Sequence, residues 1–175
     1  DYNEDRMARF QNERFVLLIV ADGLGGHDAG DFAAQMLCDT LIAQTRNQLK
    51  LLEQTPQETF QSVVNNALDE TAQILAKEKP DSHSTLSCAL VDLVYGIFFT
   101  AHIGDTRIYQ LDKETVIWRS RDHSVVQMLV DNGEIEEHEM GQHPDQSLLT
   151  RSVSAKGSSR PAFSSSKAFQ PGQAL

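Results

Sequence analysis

The chain has 175 residues, enough for one domain or most of one, with 40% hydrophobic and 23% charged residues. Its formal net charge of −10 repels nucleic acid and anionic membranes, so neither is expected as a partner. No stretch approaches the ~18 apolar residues of a membrane span, and Cys38 and Cys88 sit among apolar neighbours with no metal-binding pattern, which reads as two buried thiols in a cytoplasmic protein rather than a disulfide.

Asn3–Glu4–Asp5 places two carboxylates in tandem before a strand-like run, Arg6 to Gln11, and Asn12–Glu13 turns the chain back, predicting a hairpin. The second arm, Val16–Leu17–Leu18–Ile19–Val20–Ala21, is wholly apolar and reads as a strand buried on both faces. It runs into Asp22–Gly23–Leu24–Gly25–Gly26–His27. A carboxylate at the mouth of a buried strand is held in place by the core behind it, and the glycines let the backbone bend and expose its amides and carbonyls. Such a stretch suits a bound ion, a phosphate, or a plain strand–turn–helix connection.

Ala33, Leu37 and Leu41, with Met36 alongside, predict a helix from about Asp31 to Lys50, with Asp28 and Asp31 near its start. Thr55–Pro56–Gln57–Glu58 then has the form of a capping box with proline at the first helical position. Phe60, Val63, Val64, Ala67, Leu68, Thr71, Ile74 and Leu75 keep the helical period until Pro80 stops it. Two consecutive amphipathic helices imply a helical layer on a sheet.

From Thr85 the chain turns β-rich. Leu86–Asp92 and Tyr95–Ile103 read as strands, Gly104–Asp105 breaks the second, and Thr106–Leu111 with Thr115–Ser120 read as a hairpin. Ser124 is placed to cap a short helix, Val125 to Asp131. Residues 133–145 are acidic, carry His138 and His143, and read as an excursion over the body. Leu148 to Ser154 reads as a return to a strand, 156–167 as a serine-rich connection, and Gln170–Pro171–Gly172 as a turn into a last strand. His102 reads as a satisfied core histidine, Arg107 as a brace for the Asp105 turn, and Tyr109 and Trp118 as packing residues.

The chemistry lies in the acids. Glu4, Asp5, Asp22 and Asp105 all stand beside strand ends or turn glycines, so residues far apart in sequence can converge at one end of a sheet. Hard divalent ions such as Mg²⁺ and Mn²⁺ take carboxylate, carbonyl and water oxygens, and two such ions can activate a water and neutralise a phosphoryl group. Solvated acidic turns are the alternative for each residue taken singly.

Val20–Ala21–Asp22–Gly23–Leu24–Gly25–Gly26–His27 with Gly30 and Ala33 resembles the signature of bacterial metal-dependent Ser/Thr protein phosphatases of the PPM, or type 2C, family. Asn3–Glu4–Asp5, Ser84–Thr85–Leu86, Ala101–His102–Ile103–Gly104–Asp105–Thr106–Arg107, Asp122–His123–Ser124 and Leu149–Thr150–Arg151 resemble further motifs of that family, in its order and over nearly the whole chain. The resemblance implies an α+β fold, a four-layer α-β-β-α sandwich forming a single domain over 1–175, with 133–145 as a flap beside the substrate cleft. It implies two Mg²⁺ or Mn²⁺ ions, with a third site in bacterial members. Asp22 would bridge two ions, Gly23 would offer its carbonyl, Glu4 would hold a metal-bound water and Asp105 would belong to the third site. Asp5 would stand behind them, Thr85 would support the bridging region, and His27 is a candidate for a direct role. The implied reaction is hydrolysis of phosphoserine and phosphothreonine in proteins by metal-activated water, with no protein nucleophile and with a Ser/Thr kinase as counterpart.

Three departures matter. Leu24 stands where many eukaryotic members carry a histidine. The family's phosphate-binding arginine would fall just before Asp1, and its last two metal aspartates would fall after Leu175. The chain therefore reads as a fragment, incomplete at the C-terminal end of the sandwich, and is expected to be inactive and poorly stable alone. The alternatives are a non-catalytic relative that binds phosphoproteins or a regulatory partner, and a nucleotide-binding domain. The second is disfavoured because no Lys–Ser/Thr follows the glycines.

Overall fold

The computed structural model describes residues 3–26, 28–157, 160–166, 173 and 174. Its centre is an antiparallel five-stranded sheet in the order β1-β2-β5-β6-β10, formed by β1 (Arg6–Gln11), β2 (Phe15–Ala21), β5 (Leu86–Asp92), β6 (Ile97–Ile103) and β10 (Ala162–Ser166). The first hairpin forms as predicted: the Asn12 side chain accepts from the amides of Arg14 at 2.9 Å and Phe15 at 2.6 Å, closing the turn. At the same end of the sheet Arg14 donates to the buried Asp92 carboxylate at 2.8 Å. Asp92 also accepts from the amide of Val94 at 3.0 Å, fixing the β5–β6 turn. Burial pushes the Asp92 carboxyl up, but Arg14 and the turn amides outweigh it and hold it below the usual carboxylate range.

Two long helices cover one face of this sheet. α1 (Asp28–Asn47) lies over β1 and β2, and after the short α2 (Leu49–Leu52), α3 (Pro56–Glu78) packs beside α1 and reaches β6. Phe15, Leu17 and Ile19 from β2 meet Leu37 and Leu41 from α1 and Phe60, Val64 and Leu68 from α3 in the main core. Cys38 and Cys88 are free and lie in that core, where burial pushes their thiols up to about 11 and about 12. Pro56 opens α3 and the helix ends two residues before Pro80, as read, but Thr55 makes no capping bond. Its hydroxyl instead meets Thr59 Oγ1 at 3.0 Å.

The sequence places β2 under cover on both faces. Only Phe15, Leu17, Ile19 and Ala21, the helix-facing set, are buried, whereas Leu18 is 41% and Val20 38% exposed. An unbroken apolar run cannot say how many layers will cover it. On this second face stands a smaller sheet of β7 (Tyr109–Asp112), β8 (Thr115–Arg119) and β11 (Gln173–Ala174), in the order β11-β7-β8. Between β8 and β6 lies a cavity of about 630 Å³. Beyond the first helical layer the described residues contribute α4 (Val125–Asp131), capped as predicted by Ser124 accepting from the Gln127 amide at 3.3 Å, and a 3₁₀ turn at Glu137–Gln142.

A third small sheet, β3-β4-β9, joins β3 (Gly23–Leu24), β4 (His83–Ser84) and β9 (Val153–Ser154) at the end of the main sheet where Asp22 emerges. Four further readings of the sequence are corrected. Residues 106–108 are not strand, because hydrogen bonds to β5 and to the segment before α4 hold them. β6 begins at Ile97 rather than Tyr95, since Leu93–Gly96 make the turn. Only Val153–Ser154 of the 148–154 run pairs as a strand, and β10 rises from the serine-rich stretch read as a connection.

Candidate metal centre

Asp22 follows β2 directly, and the chain around it is pinned. The Asp22 amide donates to Thr85 Oγ1 at 3.0 Å, the Thr85 amide donates to the Asp22 carbonyl at 2.9 Å, and Ser84 Oγ donates to the same carbonyl at 3.2 Å. Thr85 thus hydrogen-bonds both the amide and the carbonyl of Asp22. Gly23 pairs with Ser84 in the β3–β4 ladder and faces Gly30 on the first turns of α1. A Cβ on Gly30 would collide with the Glu4 carboxylate and with the Gly23 backbone, and a Cβ on Gly23 would collide with Gly30 and with the Glu4 carbonyl at 2.8 Å. The two missing side chains are what bring Glu4, Gly23 and the start of α1 together.

The four acids named from sequence act on one another. The Asp22 carboxyl is pushed up to about 6, first by burial, then by the hydrogen bond with and charge of Asp5, and then by the charges of Asp105 and Glu4. Asp105 is raised as well, by burial foremost and by the charge of Asp122, against its own amide and Arg107. A carboxyl whose affinity for its proton is raised by neighbouring negative charge gains by exchanging that proton for a cation. Among the described residues no three His, Cys, Asp or Glu side chains already stand around a single point suited to an ion. The donor chemistry nonetheless fits a hard divalent ion: oxygen donors only, negative charge in excess, and a backbone carbonyl at Gly23 beside Glu4. His27 lies outside the described residues.

Asp105 sits in a turn fixed from both sides. Gly104 has φ of 102°, a left-handed conformation that glycine adopts without strain, and a Cβ there would meet Thr85 Cγ2 at 2.6 Å. Thr106 Oγ1 meets Thr85 Oγ1 at 2.6 Å, and Ser87 Oγ donates to the Thr106 carbonyl at 2.6 Å. Thr85 therefore touches the Asp22 peptide and the Asp105 turn at once. Arg107 braces the turn, as read, by a two-pronged ion pair with the buried Asp122: Nε to Oδ1 at 2.8 Å and Nη2 to Oδ2 at 2.6 Å. The neighbouring His123 binds Gly104, a role that its place in the sequence does not announce. A small cleft of about 160 Å³ is lined by Asp105, Arg107 and Asp122 and by Met140 of the 3₁₀ turn.

The larger cavity beneath β6 is less suited to this chemistry. Arg121 on its rim is paired with Asp131, and Arg119 with Glu137. His102 at its base is buried, as read; its ring makes no hydrogen bond of good geometry among the described residues, and the Thr106 backbone is the polar group within its reach. Burial lowers its pKa, and its ring packs against that of His123 at 4.8 Å.

The family model described as Protein phosphatase 2C matches residues 1–143. Serine/threonine phosphatase Stp of Listeria innocua is 29% identical over 160 residues, a match covering 89% of this chain and 63% of that protein. The chain thus spans less than two thirds of the length of that relative. A crystal structure of a bacterial serine phosphatase superposes with a TM-score of 0.80 at 27% identity, covering 95% of this chain and 68% of that one. The catalytic domain of the serine/threonine protein phosphatase PstP in complex with two manganese ions gives a TM-score of 0.68 at 27% identity, covering 95% of this chain and 66% of that one. Neither the helix-covered sheet nor the acid cluster would alone decide among α+β folds, but with these matches the chain belongs to the protein phosphatase 2C family and has its fold.

Proposed function

We propose that this chain carries part of the metal centre of a phosphatase that hydrolyses phosphoserine and phosphothreonine in proteins. The observation that carries the reading is the state of Asp22: half-buried at the end of β2, in contact with Asp5, and in the field of Glu4 and Asp105. Bound Mg²⁺ or Mn²⁺ ions, two in the first instance and a third at Asp105, would supply charge neutralisation and an acidified water. Asp22, the Gly23 carbonyl and Glu4 would hold the first two, with Asp5 behind Asp22. Thr85 keeps the Asp22 peptide and the Asp105 turn in fixed relation. No Ser, Cys or His nucleophile is assigned.

The 133–145 segment is proposed as a flap at the edge of the cleft, within a single phosphatase domain. A Ser/Thr kinase would supply the substrates, and the cytoplasm is the compartment that fits two free thiols. No helix among the described residues is long and apolar enough to cross a membrane. The reading is tested by phosphate release from a phosphothreonine peptide by the natural gene product in Mn²⁺. Turnover that requires Mn²⁺ and falls at least a hundredfold in Asp22→Asn supports it. Turnover indifferent to chelation or to Asp22→Asn overturns it.

A further inference from the structure

Asp105 is the one proposed ligand carried on a turn between two strands rather than beside the β1–β2 hairpin, so its placement depends on what holds that turn. One side is held by Thr85 and Ser87 at the head of β5. The other is held by two consecutive residues before α4. The His123 amide donates to the Gly104 carbonyl at 2.7 Å, and the Gly104 amide donates back to His123 Nδ1 at 3.2 Å. The Asp122 carboxylate, 4% exposed, takes the two-pronged bond from Arg107. Residues 104 and 107 are thereby gripped by adjacent residues of a distant segment, with Asp105 carried between them. That segment is anchored in turn, since the Thr150 amide donates to the His123 carbonyl at 2.8 Å and the Val125 amide donates to the Leu148 carbonyl at 2.9 Å.

We propose that Asp122 and His123 form a clip whose task is to position the Asp105 carboxylate for a divalent ion. They are positioning residues, for the Asp122 carboxylate is taken up by Arg107 and His123 by Gly104. The geometry also fixes the state of His123. Because Nδ1 accepts from Gly104 and Nε2 stands 3.3 Å from Arg151 Nη1, also a donor, the imidazole is neutral, and one neutral tautomer meets only one of these two contacts. Burial, His102 and Arg151 push its pKa down to about 4, which keeps it in that state at neutral pH. Residues that orient a metal ligand typically cost 10–100-fold in metal affinity when removed.

The inference rests on the proposed role of Asp105, and the test separates the two. Mn²⁺ binding to the natural gene product is titrated by electron paramagnetic resonance, with folding followed by circular dichroism. Asp105→Asn defines the class of bound Mn²⁺ that depends on Asp105. The expected result is that His123→Ala and Asp122→Asn each weaken that same class tenfold or more while leaving the remaining Mn²⁺ within twofold of wild type. His123→Asn, which can still accept from the Gly104 amide, should restore it. Folded variants in which both classes stay within twofold, or in which both weaken together, overturn the clip. If Asp105→Asn binds Mn²⁺ as wild type does, the role of Asp105 fails and the clip fails with it. If Asp122→Asn does not fold, the contrast between His123→Ala and His123→Asn decides alone.

Discussion

The two faces of the five-stranded sheet are made by the same strands, often by adjacent residues, and they differ sharply. Leu17 is 1% exposed under α1 and α3, while Leu18, its neighbour on β2, is 41% exposed on the other face. On β1, Ala8 and Phe10 pack against the core, while Met7, which alternates with them on the face of Arg9 and Gln11, is 82% exposed. The helix side is closed mainly by apolar contact, with the buried Thr40–Thr71 hydroxyl pair between α1 and α3 and the Arg6–Asp31 ion pair between β1 and α1. The other side is organised by polar groups: the Asp105 turn, the Arg107–Asp122 pair and the cavity beneath β6. Stability should reside on the first face and chemistry at the end of the second, and substitutions can separate them.

The largest effect belongs to the helix face. Leu17→Ala should cost about 3 kcal/mol by leaving a cavity in the core, whereas Leu18→Ala should cost less than about 1 kcal/mol. Urea unfolding of the pair measures this directly, and equal costs would mean that the second face is covered in solution. Next comes Arg14→Met, which strands a buried carboxylate and should cost about 2 kcal/mol near neutrality, less than a fully buried pair because Arg14 keeps some contact with water. Asp92 is held below its unfolded value, so its contribution is complete above about pH 4 and fades as pH falls through the lowered value. The penalty for Arg14→Met should shrink accordingly in acid.

A smaller effect, of opposite sign, belongs to the acid cluster. The folded pKa of Asp22 lies above its unfolded one, so in metal-free protein the charged carboxylate costs stability that sets in as pH rises toward 6. Asp22→Asn should therefore stabilise the metal-free chain by roughly 1 kcal/mol at pH 7, an amount reduced by solvent screening of a half-exposed group, and by nothing near pH 4. The smallest effect is Val20→Thr on the open face, expected within about 0.5 kcal/mol in thermal unfolding.

Much of the fold was legible in the residues because local signals and tertiary structure agree. Pro56 and Pro80 bracket α3, Ser124 caps α4, and β5 begins and ends where its apolar run does. What was not legible depends on partners far along the chain. The run from Val16 to Val20 reads the same whether one layer or two covers it. β10 is a serine-rich edge strand whose main inward apolar anchor is Phe163, so pairing with β6 rather than composition makes it a strand. The capping box sits not at Thr55 but at Glu136 and Glu139, in the segment with no periodic pattern. In the candidate centre, the acids announce themselves by standing at strand ends. The role of Asp122 and His123 does not, since a bond across nineteen residues to Gly104 leaves no local trace; Asp122–His123–Ser124 stands out as a motif, but nothing in it points to the Asp105 turn.

Thermal unfolding with and without Mn²⁺, on wild type and Asp22→Asn, bears most directly on the claim that Asp22 and its neighbours form a divalent-metal site. An ion that binds only the folded state raises the melting temperature. The expected result is a crossing: Asp22→Asn melts higher than wild type without metal, and Mn²⁺ raises the wild type but not the variant. If Mn²⁺ raises both by the same amount, or neither, Asp22 is not a metal ligand in this chain and the proposed centre is wrong.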